Sequence, residues 1–137
     1  MRLPEKCRKK TLSMMVHWYS INILQCLVSD RQTLTGLTSL TIAVSAQNSS
    51  DNLSIIATCV PRLTTLKLDN SRITSLRVLG DEMAHLKTLS VCHCGLTDLD
   101  GINYAPNIVN LVAAYNAVTD VYPITELRRV QTVDLGR

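Results

Sequence analysis

The sequence predicts an α/β solenoid, in which short parallel strands and returning turns repeat along the chain. First, aliphatic residues recur in one frame in the second half of the 137-residue chain, with copies that start at Leu63, Leu86, Ile108 and Val130. Second, the chain has no phenylalanine and one tryptophan, so leucine, isoleucine, valine and alanine must fill its interior. A core of medium-sized aliphatics suits a stack of nearly identical layers.

Three consecutive segments carry the repeat, with apolar residues at positions 1, 4, 6, 11, 14 and 17 and a small or polar residue at position 9. They are residues 63–79 (LTTLKLDNSRITSLRVL), 86–102 (LKTLSVCHCGLTDLDGI) and 108–124 (IVNLVAAYNAVTDVYPI), and a partial copy starts at 130 (VQTVDLGR). We refer to residues 63–85, 86–107, 108–129 and 130–137 as the first to fourth repeats. This period and frame predict a leucine-rich-repeat solenoid.

The frame has a direct physical interpretation. Positions 4 and 6 alternate along a strand, so both side chains point into the core, and neighbouring copies pair as a curved parallel sheet on the concave side. Positions 11, 14 and 17 bury the convex segment, predicted as short helices or 3₁₀ turns. At position 9, Asn116 is predicted to bond backbone groups that leave the sheet, which Ser71 does in part and Cys94 only weakly.

An earlier copy is predicted upstream, where LTSLTI supplies Leu37, Leu40 and Ile42 at positions 1, 4 and 6. Its convex part is longer, with a loop at 45–52 and a short helix at 53–59 that ends before a proline. We therefore expect a leucine-rich-repeat domain over residues 31–137. Its last repeat is truncated, so we expect either a fragment of a longer protein or a poorly soluble chain, with fraying of the last eight residues.

Residues 1–30 are predicted to form a basic tail and an amphipathic N-terminal helix that covers one end of the solenoid. The first ten residues hold five basic residues and one acid. In residues 11–28 (TLSMMVHWYSINILQCLV), apolar residues recur at three- and four-residue spacing. Because polar residues interrupt this segment, membrane insertion is the less favoured alternative.

Composition excludes several classes of function. Without its first ten residues the chain carries a net charge of −1, which argues against nucleic-acid binding. Five cysteines, an odd number without a regular frame, argue against a secreted disulfide scaffold and favour reduced thiols in the cytosol.

No catalytic, cofactor-binding or metal site is predicted. The cluster Cys92-His93-Cys94, with Cys59 as a fourth ligand, has zinc-binding chemistry, but the frame points Cys94 into the core and its two neighbours to the concave side. Asp98 and Asp100 fit a solvated turn better than an acid–base pair, and the three histidines and the chain's glycines form no catalytic or phosphate-binding motif. We therefore expect a non-enzymatic protein without cofactors.

The concave face at positions 3, 5, 7 and 8 is the predicted protein-binding surface. It changes from polar to apolar along the solenoid, and Tyr115 is its candidate hot spot; packing of this ring over the next strand is an equally weighted alternative. The predicted contact residues are Thr65, Lys67, Asp69, Asn70, Thr88, Ser90, Cys92, His93, Asn110, Val112, Ala114, Tyr115, Thr132 and Asp134.

The repeats resemble a known class. Their period, together with a proline near position 16, as at Pro123, resembles that of SDS22-like leucine-rich repeats. CGLTDLDGI (residues 94–102), AAYNAVTDVYPI (113–124) and LKLDNSRITSLRVLG (66–80) are similar to a family of leucine-rich-repeat proteins of motile cilia, linked to outer dynein arm assembly and intraflagellar transport. The resemblance covers about residues 34–137; Ala117 departs from it, where the family tends to have asparagine.

The resemblance implies an adaptor or scaffold in the assembly or intraflagellar transport of axonemal dynein arms, located in the cytoplasm and cilium or flagellum. Its partners would be dynein-arm or intraflagellar-transport components. The alternatives are an SDS22-like regulatory subunit of a phosphatase or another cytosolic complex, and a membrane-associated leucine-rich-repeat protein.

Overall fold

The computed structural model describes residues 11–16, 37–44, 60–73, 75–79 and 83–136. In these residues six strands form one parallel sheet in chain order. The strands are β1 (Thr11–Val16), β2 (Ser39–Val44), β3 (Thr65–Lys67), β4 (Thr88–Ser90), β5 (Asn110–Val112) and β6 (Thr132–Asp134). Short 3₁₀ helices follow β3, β4 and β5: η1 (Leu76–Leu79), η2 (Ile102–Tyr104) and η3 (Tyr122–Glu126). The predicted leucine-rich-repeat solenoid is confirmed.

The strand register follows the sequence frame without a slip. Position 4 of each copy lies opposite position 4 of the next, so Leu40, Leu66, Leu89, Leu111 and Val133 form one row across the sheet. A shift by one residue would turn every core side chain to the opposite face. The hydrophobic frame therefore determines which residues of neighbouring strands pair.

The core consists of the frame positions in successive layers. In the first and second repeats, Leu66, Leu76, Leu89 and Leu99 have no exposed surface. The upstream copy is also buried, with Leu40 at 1% exposure. Exposure rises at the last strand, where Val133 is 40% exposed, because β6 has a neighbouring strand on one side only. Each layer depends on the layers next to it for burial.

The convex segments of the first two repeats approach each other closely at Gly101. This glycine has φ +101°, and a Cβ built on it would lie 2.5 Å from the backbone N of Arg77 and from the backbone C of Leu76. Only a residue without a side chain fits this position. Nearby on the surface, the Arg77 Nε donates to Asp100 Oδ2 at 2.6 Å and the two side chains form an ion pair.

The predicted N-terminal helix is wrong for residues 11–16. These residues form β1, which pairs in parallel with β2 along its whole length, from Thr11 with Ser39 to Val16 with Val44. The three- and four-residue apolar spacing is ambiguous here because Leu12 and Met14 also fit positions 4 and 6 of the repeat frame. Pairing with β2 is a contact between segments far apart in the chain, which local spacing does not register.

Other predictions for the N-terminal half stay predictions. The basic tail (1–10), the rest of the expected helix (17–30), the loop at 45–52 and the helix at 53–59 lie outside the described residues. In the part of the chain that the structure describes, no helix has the length and hydropathy needed to cross a bilayer.

Candidate protein-binding surface

The backbone turns out of the sheet at position 8 of the first three repeats. Asn70, His93 and Tyr115 occupy this position with φ of 62°, 54° and 60°. The left-handed region is uncommon for residues other than glycine. Their N–H groups still extend the sheet, because each donates to a position-7 carbonyl of the next repeat, as Tyr115 does to Gly136 at 2.7 Å. Position 8 thus fixes the direction in which its side chain leaves the strand.

Asn116, at position 9, binds the backbone of two repeats, as predicted. Its Oδ1 accepts hydrogen bonds from the N–H groups of Cys94 (2.9 Å) and Leu96 (3.2 Å) in the second repeat. Its Nδ2 donates to the carbonyl of Val91 at 2.8 Å and to the carbonyls of Ala113 and Ala114 in its own repeat. One side chain thereby holds two consecutive turns in register.

Cys94 occupies the equivalent position in the second repeat and makes fewer bonds. Its thiol donates to the carbonyl of Leu68 at 3.1 Å and to that of Cys92 at 3.4 Å. The side chain is 3% exposed, and burial raises the pKa of the Cys94 thiol from 9.0 to about 11. Because reactivity requires the thiolate, Cys94 is an unreactive core residue at neutral pH.

The Cys92-His93-Cys94 cluster is divided between two environments. Cys94 lies in the core, whereas Cys92 is half-buried on the concave side and His93 is exposed. Among the described residues no group of three or more histidine, cysteine or acidic side chains is arranged to hold a metal ion. Cys59, the fourth ligand considered, lies outside those residues.

The concave face near β3 and β4 is organised around Asp69. Its Oδ1 accepts a hydrogen bond from Ser90 Oγ at 2.6 Å and from the Cys92 N–H at 2.8 Å. Ser90 is only 7% exposed, so it supports Asp69 and offers a partner little surface. A buried polar network of this kind fixes side-chain positions on the face.

A second row of side-chain hydrogen bonds crosses β4, β5 and β6 at position 3. Thr132 Oγ1 donates to Asn110 Oδ1 at 2.6 Å, and Asn110 Nδ2 donates to Thr88 Oγ1 at 3.4 Å. The predicted concave residues thus include an ordered polar edge. Among the predicted concave residues, Ala114 is buried, and Thr65 and Val112 are half-buried. The exposed ones are Lys67, Asn70, His93, Tyr115, Thr132 and Asp134.

His93 and Tyr115 stack on each other at the edge of the concave face. Their ring centroids lie 4.4 Å apart and their planes differ by 3°. Tyr115 nevertheless remains 56% exposed. Its ring therefore stacks on the second repeat and presents its outer surface to solvent. Its role as a binding hot spot stays a prediction. The left-handed backbone at both positions holds the pair, which we call the aromatic ledge (His93 and Tyr115).

Asp98 and Asp100 have structural roles on the convex side. Asp98 Oδ1 accepts a hydrogen bond from the Asp100 N–H at 2.9 Å, and Asp120 does the same for Tyr122 one repeat later. In the first repeat Ser75 Oγ accepts from the Arg77 N–H at 3.2 Å. Position 13 therefore closes a turn in each of these repeats. Asp100 in addition pairs with Arg77, so both carboxylates have partners within the repeats.

Two features of the surface were not predicted from the sequence. The first is the left-handed backbone at position 8, which brings His93 and Tyr115 into contact although they belong to different repeats. Both occupy the same frame position, so the repeat alignment contained the signal for their proximity. The second is the burial of Ser90 and Ala114, each 7% exposed.

Comparison with known proteins finds leucine-rich-repeat relatives. The chain is 42% identical over 76 residues to human leucine-rich repeat-containing protein 56, a match that covers 56% of this chain and 14% of that protein. It is 40% identical over 82 residues to the Trypanosoma brucei homologue of that protein, covering 58% of this chain and 11% of the relative. It is also 40% identical over 60 residues to the Drosophila melanogaster acidic leucine-rich nuclear phosphoprotein 32 family member A, covering 44% and 23%. No protein-family model matches the sequence.

Proposed function

We propose that this chain, a leucine-rich-repeat chain close to leucine-rich repeat-containing protein 56, is a non-catalytic adaptor that binds a protein partner through its concave face. The observation that carries the proposal is the aromatic ledge. An exposed tyrosine that is already held by stacking loses little conformational freedom when a partner covers it. Large rigid aromatic side chains of this kind dominate many protein interfaces.

The composition of the concave face supports a protein partner. The same concave face carries the half-buried Val112 and an ordered polar row formed by Thr88, Asn110 and Thr132. Interfaces typically combine an aromatic or aliphatic centre with a polar rim of fixed hydrogen-bonding groups. The described strands provide both, and none of the predicted concave residues has to move to expose the tyrosine ring.

We place the adaptor in the cytoplasm and cilium, in assembly or intraflagellar transport of axonemal dynein arms. This part rests on the similarity of residues 94–102 and 113–124 to the ciliary leucine-rich-repeat family. The matched relatives are much longer than this chain, which spans 14% of the human protein and 11% of the trypanosome protein. The chain would thus supply the repeat surface of such an adaptor.

The test compares two tyrosines in affinity purification from ciliated cells. The chain and its Tyr115→Ala variant serve as baits, with Tyr122→Ala as a matched control, because Tyr122 is 69% exposed on the convex side. We expect Tyr115→Ala to weaken partner binding by about 2 kcal/mol, or roughly 30-fold in Kd, on the usual hot-spot scale. Tyr122→Ala should bind as the unmodified chain does, and all three baits should unfold at similar temperatures.

The identity of the recovered proteins tests the ciliary assignment. Dynein-arm or intraflagellar-transport components that are lost with Tyr115→Ala support the proposal. A phosphatase catalytic subunit recovered in their place would favour an SDS22-like regulatory role. Equal loss of partner with both tyrosine variants would overturn the assignment of the concave face.

A further inference from the structure

One edge of the sheet carries basic side chains without acids among them. In a parallel sheet all strands begin at the same edge, and the segments that lead from each convex side into β3, β4, β5 and β6 are 60–64, 83–87, 105–109 and 127–131. Three of these segments hold Arg62, Lys87, Arg128 and Arg129, together with His85, whereas the segment 105–109 holds no basic residue; none of the four contains aspartate or glutamate. We call these five side chains the basic rim.

The register of the strands aligns the rim into a row. Lys87 N–H donates to the Thr64 carbonyl at 2.8 Å and Val109 N–H to the Lys87 carbonyl at 2.7 Å, so the segments before the strands are paired as the strands are. Arg62, His85 and Arg129 each directly precede position 1 of a repeat. Neighbouring strands lie about 4.8 Å apart, which spreads the row over roughly 14 Å from the first repeat to the fourth.

The rim charges are not neutralised within the described part of the chain. All five side chains are exposed, and the ion pair found among the described residues joins Arg77 to Asp100 on the convex side. Glu126 is the nearest described acid along the chain, at the end of η3, and the sequence also places Asp81 and Glu82 just ahead of the second segment. With residues 11–137 at a net charge of −1, acids elsewhere balance this local excess of cations.

We propose that the basic rim is a second docking surface, which binds an acidic segment of a partner protein. Cations held along one sheet edge, with Arg62 before β3, Lys87 before β4 and Arg128 and Arg129 before β6, attract an extended chain rich in aspartate or glutamate. Opposite charges determine orientation and the rate of encounter. A nucleic acid is a poorer fit, because single-strand binding sites interleave aromatic stacking groups with the cations, and the four segments contain no phenylalanine, tyrosine or tryptophan. The surface lies at the strand starts, whereas the aromatic ledge lies where the strands end.

The probe is a fluorescein-labelled glutamate-rich peptide of about ten residues, long enough to follow the row at roughly 3.4 Å per residue. Fluorescence anisotropy with the intact chain should show binding that weakens as salt is raised, and the glutamine version of the peptide should not bind. The double variant Arg128→Glu/Arg129→Glu should weaken binding by about tenfold or more, because like charges then oppose the peptide.

The matched control is Arg72→Glu/Arg77→Glu, which changes the charge equally but lies away from the strand starts. We expect this control to reduce binding by less than about threefold through the change in net charge alone. Equal losses with the two double variants would overturn the rim as a site, as would the absence of peptide binding.

Two further probes distinguish the class of partner. A single-stranded oligonucleotide and vesicles containing phosphatidylserine are titrated with the same proteins. If either binds the chain more tightly than the acidic peptide and loses affinity in Arg128→Glu/Arg129→Glu, the assignment to a protein partner is wrong. Because Tyr115→Ala leaves the rim intact, loss of the concave interaction and loss of the rim interaction are separable.

Discussion

The two junctions between the three full repeats share one frame but are held together at different places. The first and second repeats approach each other closely on the convex side, where Gly101 lies against the backbone of Leu76 and Arg77, and Asp69 joins them by hydrogen bonds on the concave side. Between the second and third repeats, the strongest connection is at the strand ends, where Asn116 binds backbone groups of both repeats. The repeat frame specifies the stacking of layers and leaves the means of attachment open.

The comparison also shows how position 9 and the convex side compensate for each other. At the first junction, position 9 is Cys94, whose thiol is a weak donor and a weaker acceptor than the Asn116 carbonyl oxygen. The second junction has no glycine equivalent to Gly101, because Pro123 occupies position 16 of the third repeat. The first junction therefore combines a close backbone approach with the hydrogen bonds of Asp69, whereas at the second an amide side chain bonds the backbone of both repeats.

Gly101→Ala should have the largest effect, and it breaks the first junction. The added Cβ would lie 2.5 Å from two backbone atoms, and alanine resists a φ of +101°. Overpacking and backbone strain together should destabilise the chain by about 3 to 4 kcal/mol, measured by urea unfolding.

Gly95→Ala is the matched control for this substitution. Gly95 has φ +76°, but nothing lies within 4 Å of the position that a Cβ would take. Gly95→Ala should therefore cost only the strain of alanine in a left-handed backbone, about 1 kcal/mol. Equal destabilisation by the two alanines would mean that conformation alone, and not close approach, limits Gly101.

Asn116→Ala should weaken the second junction and lower the free energy of unfolding by about 2 to 3 kcal/mol, because the half-buried N–H groups of Cys94 and Leu96 lose their acceptor. Amide exchange should rise first at those two N–H groups. Asn107→Ala is the control: the Asn107 Nδ2 donates to a single carbonyl, that of Ala84, and its removal should cost less than about 1 kcal/mol. A loss at Asn107 as large as that at Asn116 would remove the special role of position 9.

The sequence predicted the fold because the frame is redundant. Each of positions 1, 4 and 6 recurs in three or more copies, so a single departure such as Val133 does not obscure it. The role of Asn116 was predictable for the same reason, since position 9 always follows the strand. Local chemistry repeated in register is the kind of information that a single sequence carries well.

What was missed depends on contacts between distant segments. Residues 11–16 become a strand through pairing with β2, and nothing within that short segment distinguishes a strand from a helix. The aromatic ledge needs both the left-handed backbone at His93 and Tyr115 and their stacking across repeats. The basic rim emerges only when segments one repeat apart are aligned at one sheet edge.

Cys94→Asn should give the smallest effect, and its sign decides how the two junctions compare. Asparagine at this position can donate to the carbonyls that the thiol now contacts, those of Leu68 and Cys92. Its oxygen can accept from the N–H of Ile73 and, more strongly than sulfur does, from that of Ser71, which also donates to the Leu68 carbonyl. It would then bridge the repeats as Asn116 does one repeat later. The side chains are similar in size, so the core should accept the change, and the added hydrogen bonds should stabilise the chain by about 1 kcal/mol in urea unfolding. Cys94→Ser, which is too short to bridge the repeats, serves as the control and should not stabilise. If Cys94→Asn instead lowers the free energy of unfolding, the burial of the thiol contributes more at this junction than an amide bridge can, and position 9 is not interchangeable between repeats.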